Sequence, residues 1–175
     1  MYKPISAKEI KDALMMMVEV ERTMGKLYQY CADCFPEDKQ FWLGIVEQET
    51  QHTKSILKMG KIIAKKRDQF EMNRPFNSTA MKTVISGIKM NMERVKSGAI
   101  PKSRMLAIAY DLEQSILESK YAEIFKTADV EYQNLLRKIL DDTGAHKKII
   151  QVKMATQSQR AGSHPAGGFQ TASGV

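Results

Sequence analysis

The fold of this chain is decided by residues 42–63, which read WLGIVEQETQHTKSILKMGKII. Apolar residues recur there every three or four positions, the spacing that places side chains on one face of an α-helix. Glu49 and His52 fall on that same face, three residues apart, and interrupt it. The stretch therefore predicts a helix whose buried face carries a carboxylate and an imidazole.

Three other segments show the same interrupted pattern. Each has an apolar stripe at helical spacing with an acidic residue inside it, and the last also carries a histidine. The interruptions are Glu21 within residues 10–31, Glu113 within residues 106–124, and Asp142 with His146 within residues 135–149. A buried carboxylate is costly unless it has a proton, a partner or a metal.

Prolines and short breaks divide these stripes into separate helices. We predict long helices over about residues 6–34, 37–68, 102–127 and 129–155, with Ser6 capping the first. A shorter helix is predicted over 79–97, capped by Ser78, and no segment shows the alternation typical of a strand. Pro36 leaves so short a connection that the first two helices are expected to be antiparallel neighbours.

This organisation predicts an all-α fold, a four-helix bundle made of two helical hairpins joined by a long helical crossover over residues 69–101. The bundle is expected to occupy residues 1–155. Residues 156–175 contain four of the ten glycines and no acidic residue, which is typical of a flexible tail. His164 lies in that tail and is not expected to take part in any site.

Length and composition exclude several classes of protein. A chain of 175 residues with 43% hydrophobic and 27% charged residues is expected to be one globular domain with a tail. No apolar run is long enough to span a membrane, and the chain does not begin with the pattern of a secretory leader. Two cysteines do not make a disulfide scaffold, so we expect a cytoplasmic protein.

The net charge of +7 comes from the middle of the chain, where residues 54–104 hold 13 Lys and Arg against 3 Asp and Glu. Four lysines share one helix face there: Lys54, Lys58, Lys61 and Lys65. This face is either a patch for anions or nucleic acid or an ordinary solvated surface. No aromatic residue is interleaved to stack on bases, which disfavours nucleic acid.

The acidic and histidine interruptions have two interpretations. A single Glu on an apolar stripe is usually a boundary residue, and a single core histidine is usually a structural one. Agreement among all four helices favours a cation held by oxygen and imidazole ligands. A glutamate from each of two helices, with Glu-x-x-His from each of the other two, is the ligand pattern of di-iron and di-manganese carboxylate bundles.

At these residues the chain resembles the ferritin-like superfamily, and within it the rubrerythrin-type di-iron proteins. The resemblance covers about residues 6–155. Its first half is carried by Glu21, Tyr28 and the motif Glu49-Thr50-Gln51-His52. In the second half, Glu113 is followed by Tyr121, as Glu21 is followed by Tyr28.

The second Glu-x-x-His motif departs from the family. When His52 is aligned with His146, Glu49 pairs with Thr143, so the expected glutamate is missing. Asp142, four residues before His146, is the nearest replacement. Three outcomes stay open: a complete site that uses Asp142, a single-metal site, or a bundle that has lost its metal.

The resemblance implies an iron-binding oxidoreductase that acts on peroxide or dioxygen, with manganese or zinc as other metals for this ligand set. The resemblance implies that six residues are metal ligands: Glu21, Glu49, His52, Glu113, His146 and, as a substitute, Asp142. Tyr28 and Tyr121 would bond to ligand carboxylates, although packing is an equal explanation for them. The alternative function is a non-catalytic interaction module with a decayed site.

Two further features bear on partners. Cys31 and Cys34 form a single Cys-x-x-Cys, whereas a rubredoxin-like domain needs two, so electrons are expected to come from an external donor protein. Helix-end structural cysteines are the simpler interpretation of this motif. The run Met15-Met16-Met17 exposes more apolar surface than one helix face buries, which suggests a homodimer contact or flexible core packing.

Overall fold

The computed structural model of the protein describes residues 6–73, 76–118 and 123–162. Its elements follow in the order α1 (Ala7–Cys34), α2 (Lys39–Lys65), β1 (Glu71–Met72), α3 (Ser78–Lys96), α4 (Lys102–Glu118), β2 (Phe125–Lys126) and α5 (Val130–Gly162). Short 3-10 turns at Pro36–Asp38 and Arg67–Gln69 flank α2. The described part of the chain is thus mostly helical, which confirms the predicted all-α class.

The start of α1 is set by a reciprocal pair of hydrogen bonds. The backbone N–H of Glu9 donates to Oγ of Ser6 at 3.1 Å, and the backbone N–H of Ser6 donates to Oε2 of Glu9 at 2.9 Å. Both bonds satisfy amide groups that the first turn of a helix leaves without partners. Ser6 is therefore confirmed as the cap of the first helix.

The cap predicted for α3 was wrong. Ser78 is the first residue of the helix, and Asn77 caps it, because Oδ1 of Asn77 accepts the backbone N–H of Ala80 at 2.9 Å. Asparagine and serine are comparable caps, so sequence alone does not choose between adjacent candidates.

The prediction that no segment of the chain forms a strand was also wrong. Glu71–Met72 and Phe125–Lys126 pair antiparallel, with Glu71 opposite Lys126 and Met72 opposite Phe125. Residues 125–126 were predicted to belong to a helix over 102–127, whereas α4 ends at Glu118. Two residues are too few to show strand alternation, and this pairing depends on a contact between distant parts of the chain.

Helix α5 is longer than predicted. It continues to Gly162, seven residues into the segment expected to be a tail. Residues 163–175, with His164, lie outside the described residues. None of the described helices has the length and apolar character needed to cross a bilayer.

The core is formed where the helices pack in pairs. Helix α1 packs against α2 and α3, α4 packs against α5, and α2 contacts α5, which joins the two pairs. Gly25 lies at the contact of α1 with α2, and a Cβ there would meet the Cβ of Glu49 at 3.4 Å. The first two helices therefore approach each other closely beside one of the predicted site residues.

Candidate metal centre

Five of the predicted site residues converge in the interior, one or two from each of four helices. All are buried, with no more than 2% of any one exposed. They are Glu21 on α1, Glu49 and His52 on α2, Glu113 on α4, and His146 on α5. The helical spacing in the sequence thus identified the buried face of every helix that contributes to this centre.

The five side chains form two groups that share Glu49. Glu21, Glu49 and His52 make the first group, and Glu49, Glu113 and His146 make the second. Within each group, one nitrogen or oxygen atom from every residue lies within 4.8 Å of the others. Each group has the donor atoms and the spacing to hold a metal ion, with Glu49 between them.

The two oxygens of Glu49 face different histidines. Oε1 lies 3.2 Å from Nδ1 of His146, and Oε2 lies 3.5 Å from Nδ1 of His52. The second carboxylate of each group is also close to Nδ1. Glu21 Oε2 is 3.3 Å from His52, and Glu113 Oε2 is 3.5 Å from His146. Both imidazoles therefore present the same nitrogen to a pair of carboxylates, and their rings stack with centroids 5.6 Å apart.

The charges in this centre are tightly coupled. Burial opposes the charged imidazolium, but Glu21 and Glu49 outweigh it and raise the pKa of His52 to about 10. Glu113 and Glu49 likewise raise the pKa of His146 to about 9. The two imidazolium groups overcome the effect of burial on Glu49 and lower its pKa to about 2. Without a metal, protons on the histidines therefore compensate the buried carboxylates.

The two outer carboxylates behave differently from Glu49. Burial and the charge of Glu49 raise the pKa of Glu21 well above its ordinary value. Burial also raises the pKa of Glu113, against the opposing effect of His146. These carboxyls hold protons more readily than Glu49 does, because each faces one histidine and the shared carboxylate faces two.

Six nitrogen and oxygen atoms of the centre are buried without a hydrogen bond to any described residue. They are Oε1 of Glu21, both oxygens of Glu49, Oε2 of Glu113, Nε2 of His52 and Nδ1 of His146. Buried polar atoms are normally paired, so a cluster of unsatisfied ones in a single place needs an explanation. A cation would satisfy the carboxylate and Nδ1 atoms together, and the donor set therefore fits a metal.

Asp142, the sixth predicted ligand, lies at the edge of the centre and belongs to neither group. Its side chain is 24% exposed, and Lys138 Nζ lies 2.8 Å from its Oδ2. The same oxygen is 3.4 Å from Nε2 of His52, the ring nitrogen that points away from the carboxylates. Asp142 is therefore placed as an outer neighbour of His52.

Thr143 occupies the buried position that the alignment of His52 with His146 pairs with Glu49. It is 1% exposed, and its hydroxyl donates to the backbone oxygen of Ile139 at 2.8 Å. That hydroxyl is thus turned to its own helix, and α5 offers no carboxylate opposite Glu49. The centre has one shared carboxylate where a symmetric site would have two.

Sequence reasoning missed Gln48. Its Oε1 hydrogen-bonds Nε2 of His146, the outer nitrogen of that ring. A signal was available, because the alignment of His52 with His146 also aligns Gln48 with Asp142. The two aligned residues contact the outer nitrogens of opposite histidines.

Tyr28 is buried beside the centre and donates its phenolic hydrogen to Oε1 of Glu113 at 2.7 Å. Burial and the charge of Glu113 raise the pKa of Tyr28 well above its ordinary value. The predicted hydrogen bond to a carboxylate of the centre is present, although it reaches the glutamate of the other half of the chain. Tyr121 lies outside the described residues.

The cysteines and the lysine face lie apart from this chemistry. Burial and Cys34 raise the pKa of Cys31 to about 12, which is the environment of a structural thiol. Lys54, Lys58, Lys61 and Lys65 are all exposed. Lys58 pairs with Glu131 at 2.8 Å, as expected for a solvated surface.

Comparisons of this chain with models of protein families, with curated proteins and with solved structures each found no match.

Proposed function

We propose that this protein is a ferritin-like four-helix bundle of the rubrerythrin type, which binds two metal ions and uses them in oxidoreductase chemistry on peroxide or dioxygen. The observation that carries the proposal is the position of Glu49, whose two oxygens face Nδ1 of two different histidines. A carboxylate placed in this way is suited to bridge two cations. Iron is the metal the resemblance favours, and manganese and zinc accept the same donors.

The residues of the chain have distinct roles in this proposal. Glu49 would bridge the two ions, while Glu21 with His52 and Glu113 with His146 would complete one position each. Iron bound there would supply electrons and Lewis acidity to the oxidant. The helices exclude water from the centre, which strengthens every electrostatic interaction inside it.

Three further side chains would hold the ligands in place. Tyr28 fixes one oxygen of Glu113 by its hydrogen bond and leaves the other, Oε2, unsatisfied and directed to His146. Gln48 and Asp142 contact the outer ring nitrogens, so that both imidazoles keep Nδ1 on the side of the carboxylates. Such outer contacts orient a histidine and set its basicity.

Metal analysis tests the proposal. Metal-free protein is loaded with ferrous iron under anaerobic conditions, and bound iron is counted after removal of the excess. We expect about two irons per chain, as in other carboxylate bundles with this ligand pattern. Glu49→Ala removes the shared ligand and should abolish binding at both positions, whereas Glu21→Ala should abolish one. Glu47→Ala, on the same helix but exposed, is the matched control and should bind as the unaltered protein does.

Reactivity is a separate arm of the test. Reduced, iron-loaded protein mixed with hydrogen peroxide should be oxidised faster than free ferrous iron under the same conditions. Absence of bound iron after anaerobic loading would refute the proposal. One iron per chain, lost in His52→Ala, would restrict it to a single-metal site.

The second candidate function is a non-catalytic interaction module with a decayed centre. Thr143 favours this candidate, because a threonine in place of the glutamate leaves one bridging carboxylate instead of two. The hydroxyl of Thr143 is bonded to the backbone oxygen of Ile139. This candidate predicts that the chain folds equally well after iron is removed and that peroxide does not react with it.

A further inference from the structure

The two groups of the candidate metal centre are alike in residue type but not in the atoms that they offer. The His52 position consists of Glu21, Glu49 and His52, and the His146 position consists of Glu49, Glu113 and His146. Glu49 gives one oxygen to each position, because its Oε2 faces His52 and its Oε1 faces His146. Any difference between the two positions therefore comes from their outer carboxylates and from the contacts of their histidines.

The outer carboxylates differ in how many oxygens they can give to a cation. Oε2 of Glu21 lies 3.3 Å from Nδ1 of His52, and Oε1 of Glu21 is buried with no hydrogen-bond partner among the described residues. Glu113 has only Oε2 in the corresponding place, 3.5 Å from Nδ1 of His146. Its Oε1 accepts the phenolic hydrogen of Tyr28 at 2.7 Å. With one oxygen of the shared glutamate and one histidine nitrogen on each side, the His52 position presents four donor atoms and the His146 position three.

Tyr28 is fixed in this arrangement by its own packing. Its ring is fully buried and stacks on Trp42, with centroids 5.6 Å apart and an interplanar angle of 23°. A buried hydroxyl needs a partner, and Oε1 of Glu113 is the acceptor that it has. A hydrogen bond donated to a carboxylate also draws negative charge away from it, so Glu113 is the weaker ligand of the two outer carboxylates.

The outer ring nitrogens of the two histidines also have unequal partners. Oδ2 of Asp142 lies 3.4 Å from Nε2 of His52, whereas Nε2 of His146 bonds the amide oxygen of Gln48. A partner behind an imidazole sets its strength as a ligand, and a carboxylate raises that strength more than a neutral amide because it carries a full negative charge. The contacts of the histidines therefore favour the same position as the oxygens of Glu21 do.

We propose that the two positions fill in a fixed order, the His52 position first and the His146 position second. This order rests on the proposed function, which places two metal ions in the centre. The first ion meets four donor atoms and a histidine backed by a carboxylate. The second meets three donor atoms and a histidine backed by an amide. When metal is scarce, the His146 position is therefore the one that gives up and exchanges its ion.

Zinc tests the order directly, because it accepts the same donors and has no redox chemistry of its own. The chain has three histidines, so a His164→Gln background leaves only the rings of His52 and His146. Metal-free protein labelled with the heavy nitrogen isotope receives one equivalent of zinc and then a second, and ring nitrogens are followed by nuclear magnetic resonance. We expect Nδ1 of His52 to reach its ligated shift with the first equivalent, and Nδ1 of His146 with the second.

Variants that keep a single position separate the order from repulsion between the ions, which weakens the second step in any two-metal centre. His146→Ala keeps the His52 position, and His52→Ala keeps the His146 position. Competition with a chelator of known affinity should show zinc bound at least about 10-fold more tightly in His146→Ala. Circular dichroism shows whether each variant is folded. Glu113→Gln and Glu21→Gln, which preserve side-chain size, repeat the comparison.

Gln48→Glu tests the outer partners by a gain in affinity. Gln48 is exposed, so a carboxylate there carries little burial cost, and it would give His146 the kind of partner that His52 has. Added to His52→Ala, this change should tighten zinc binding by about 10-fold. Gln51→Glu is the matched control, because it adds the same charge at an exposed position of the same helix, and it should have little effect.

The outcomes for the order and for the proposed function are distinct. The order is overturned if zinc ligates His146 first, if both rings respond together to the first equivalent, or if the two single-position variants bind equally. Each of those results leaves a two-metal centre in place. A chain that binds neither zinc nor iron overturns the proposed function and the order with it. Ordered filling in a protein whose bound iron does not react with peroxide overturns the proposed function alone.

Discussion

Gln48 and Asp142 hold equivalent positions in the two halves of the chain, each four residues before a buried histidine, and each contacts the histidine of the opposite half. Oε1 of Gln48 bonds Nε2 of His146, and Oδ2 of Asp142 lies 3.4 Å from Nε2 of His52. The two contacts are reciprocal, but Gln48 offers a neutral amide and Asp142 a carboxylate. The two proposed metal positions are therefore chemically unequal.

We predict that Asp142→Asn weakens metal binding at the His52 position while the His146 position is little changed. Loss of an outer partner of a ligating histidine typically costs 10- to 100-fold in metal affinity. Titration against a chelator of known affinity should resolve the two steps. Lys138→Met is the matched control, because it removes the 2.8 Å ion pair with Asp142 and keeps the carboxylate beside His52. Equal weakening in both variants would assign the effect to the ion pair.

A second prediction concerns protons. With a pKa of about 10 for His52 and about 9 for His146, both imidazoles are protonated in metal-free protein at pH 7. A histidine must be neutral to ligate a metal, so each ion that binds displaces at least one proton. Affinity should therefore rise with pH between 7 and about 9. Calorimetry in buffers of different ionisation enthalpy measures the protons released, and a value of zero at pH 7 would contradict the prediction.

A third prediction tests the position of the missing glutamate. Thr143→Glu adds a buried carboxylate that has no metal to neutralise it, which should destabilise metal-free protein by on the order of 3 kcal/mol. Metal should restore more stability in this variant than in the unaltered chain, because a second bridging ligand becomes available. Thermal unfolding with and without metal measures both effects.

Thr143→Val is the control for that experiment. It keeps the β-branched shape and removes the hydroxyl bonded to Ile139, at a cost within about 1.5 kcal/mol. If metal stabilises Thr143→Glu no more than it stabilises Thr143→Val, position 143 does not face the metals.

A fourth prediction concerns Asp38, a buried carboxylate at the start of α2. Lys102 lies 3.1 Å from its Oδ2, Lys153 contacts Oδ1, and the side-chain amide of Gln157 donates to Oδ2 at 3.4 Å. These contacts tie α2 to α4 and α5. Asp38→Asn should therefore lower the free energy of unfolding at pH 7 by about 1–3 kcal/mol.

The difference in the free energy of unfolding between Asp38→Asn and the unaltered chain depends on pH, because it follows the pKa of Asp38. Burial acts to raise this pKa, but Lys153 and Lys102 outweigh it and hold the pKa below its ordinary value. Because the pKa of Asp38 is lower in the folded chain than in the unfolded chain, its negative charge stabilises the fold above the pKa of the unfolded chain, near pH 4. This stabilisation is lost as the pH falls through the pKa of the folded chain. Urea unfolding of both proteins should show the gap closing below about pH 4. A gap that persists there would show that packing, not charge, is responsible.

Sequence reasoning located the buried faces well because helical periodicity is local. Glu21, Glu49, His52, Glu113 and His146 were all identified from spacing alone and are all buried. Asp142 lies at the edge of the centre instead, 24% exposed and paired with Lys138, and Thr143, three before His146, has the buried position. The outer contact of Gln48 and the pairing of residues 71–72 with 125–126 join distant parts of the chain, which periodicity does not describe.

The small β pairing bears on the order in which the chain assembles. Its two strands are about 55 residues apart in sequence, and a two-residue ribbon does not persist on its own. Contacts within each helix pair, in contrast, close much shorter loops and form earlier. The ribbon thus forms only after the two halves have met. Exchange of the Asn73 amide, which bonds the carbonyl of Ile124 at 3.0 Å, reports when they separate again.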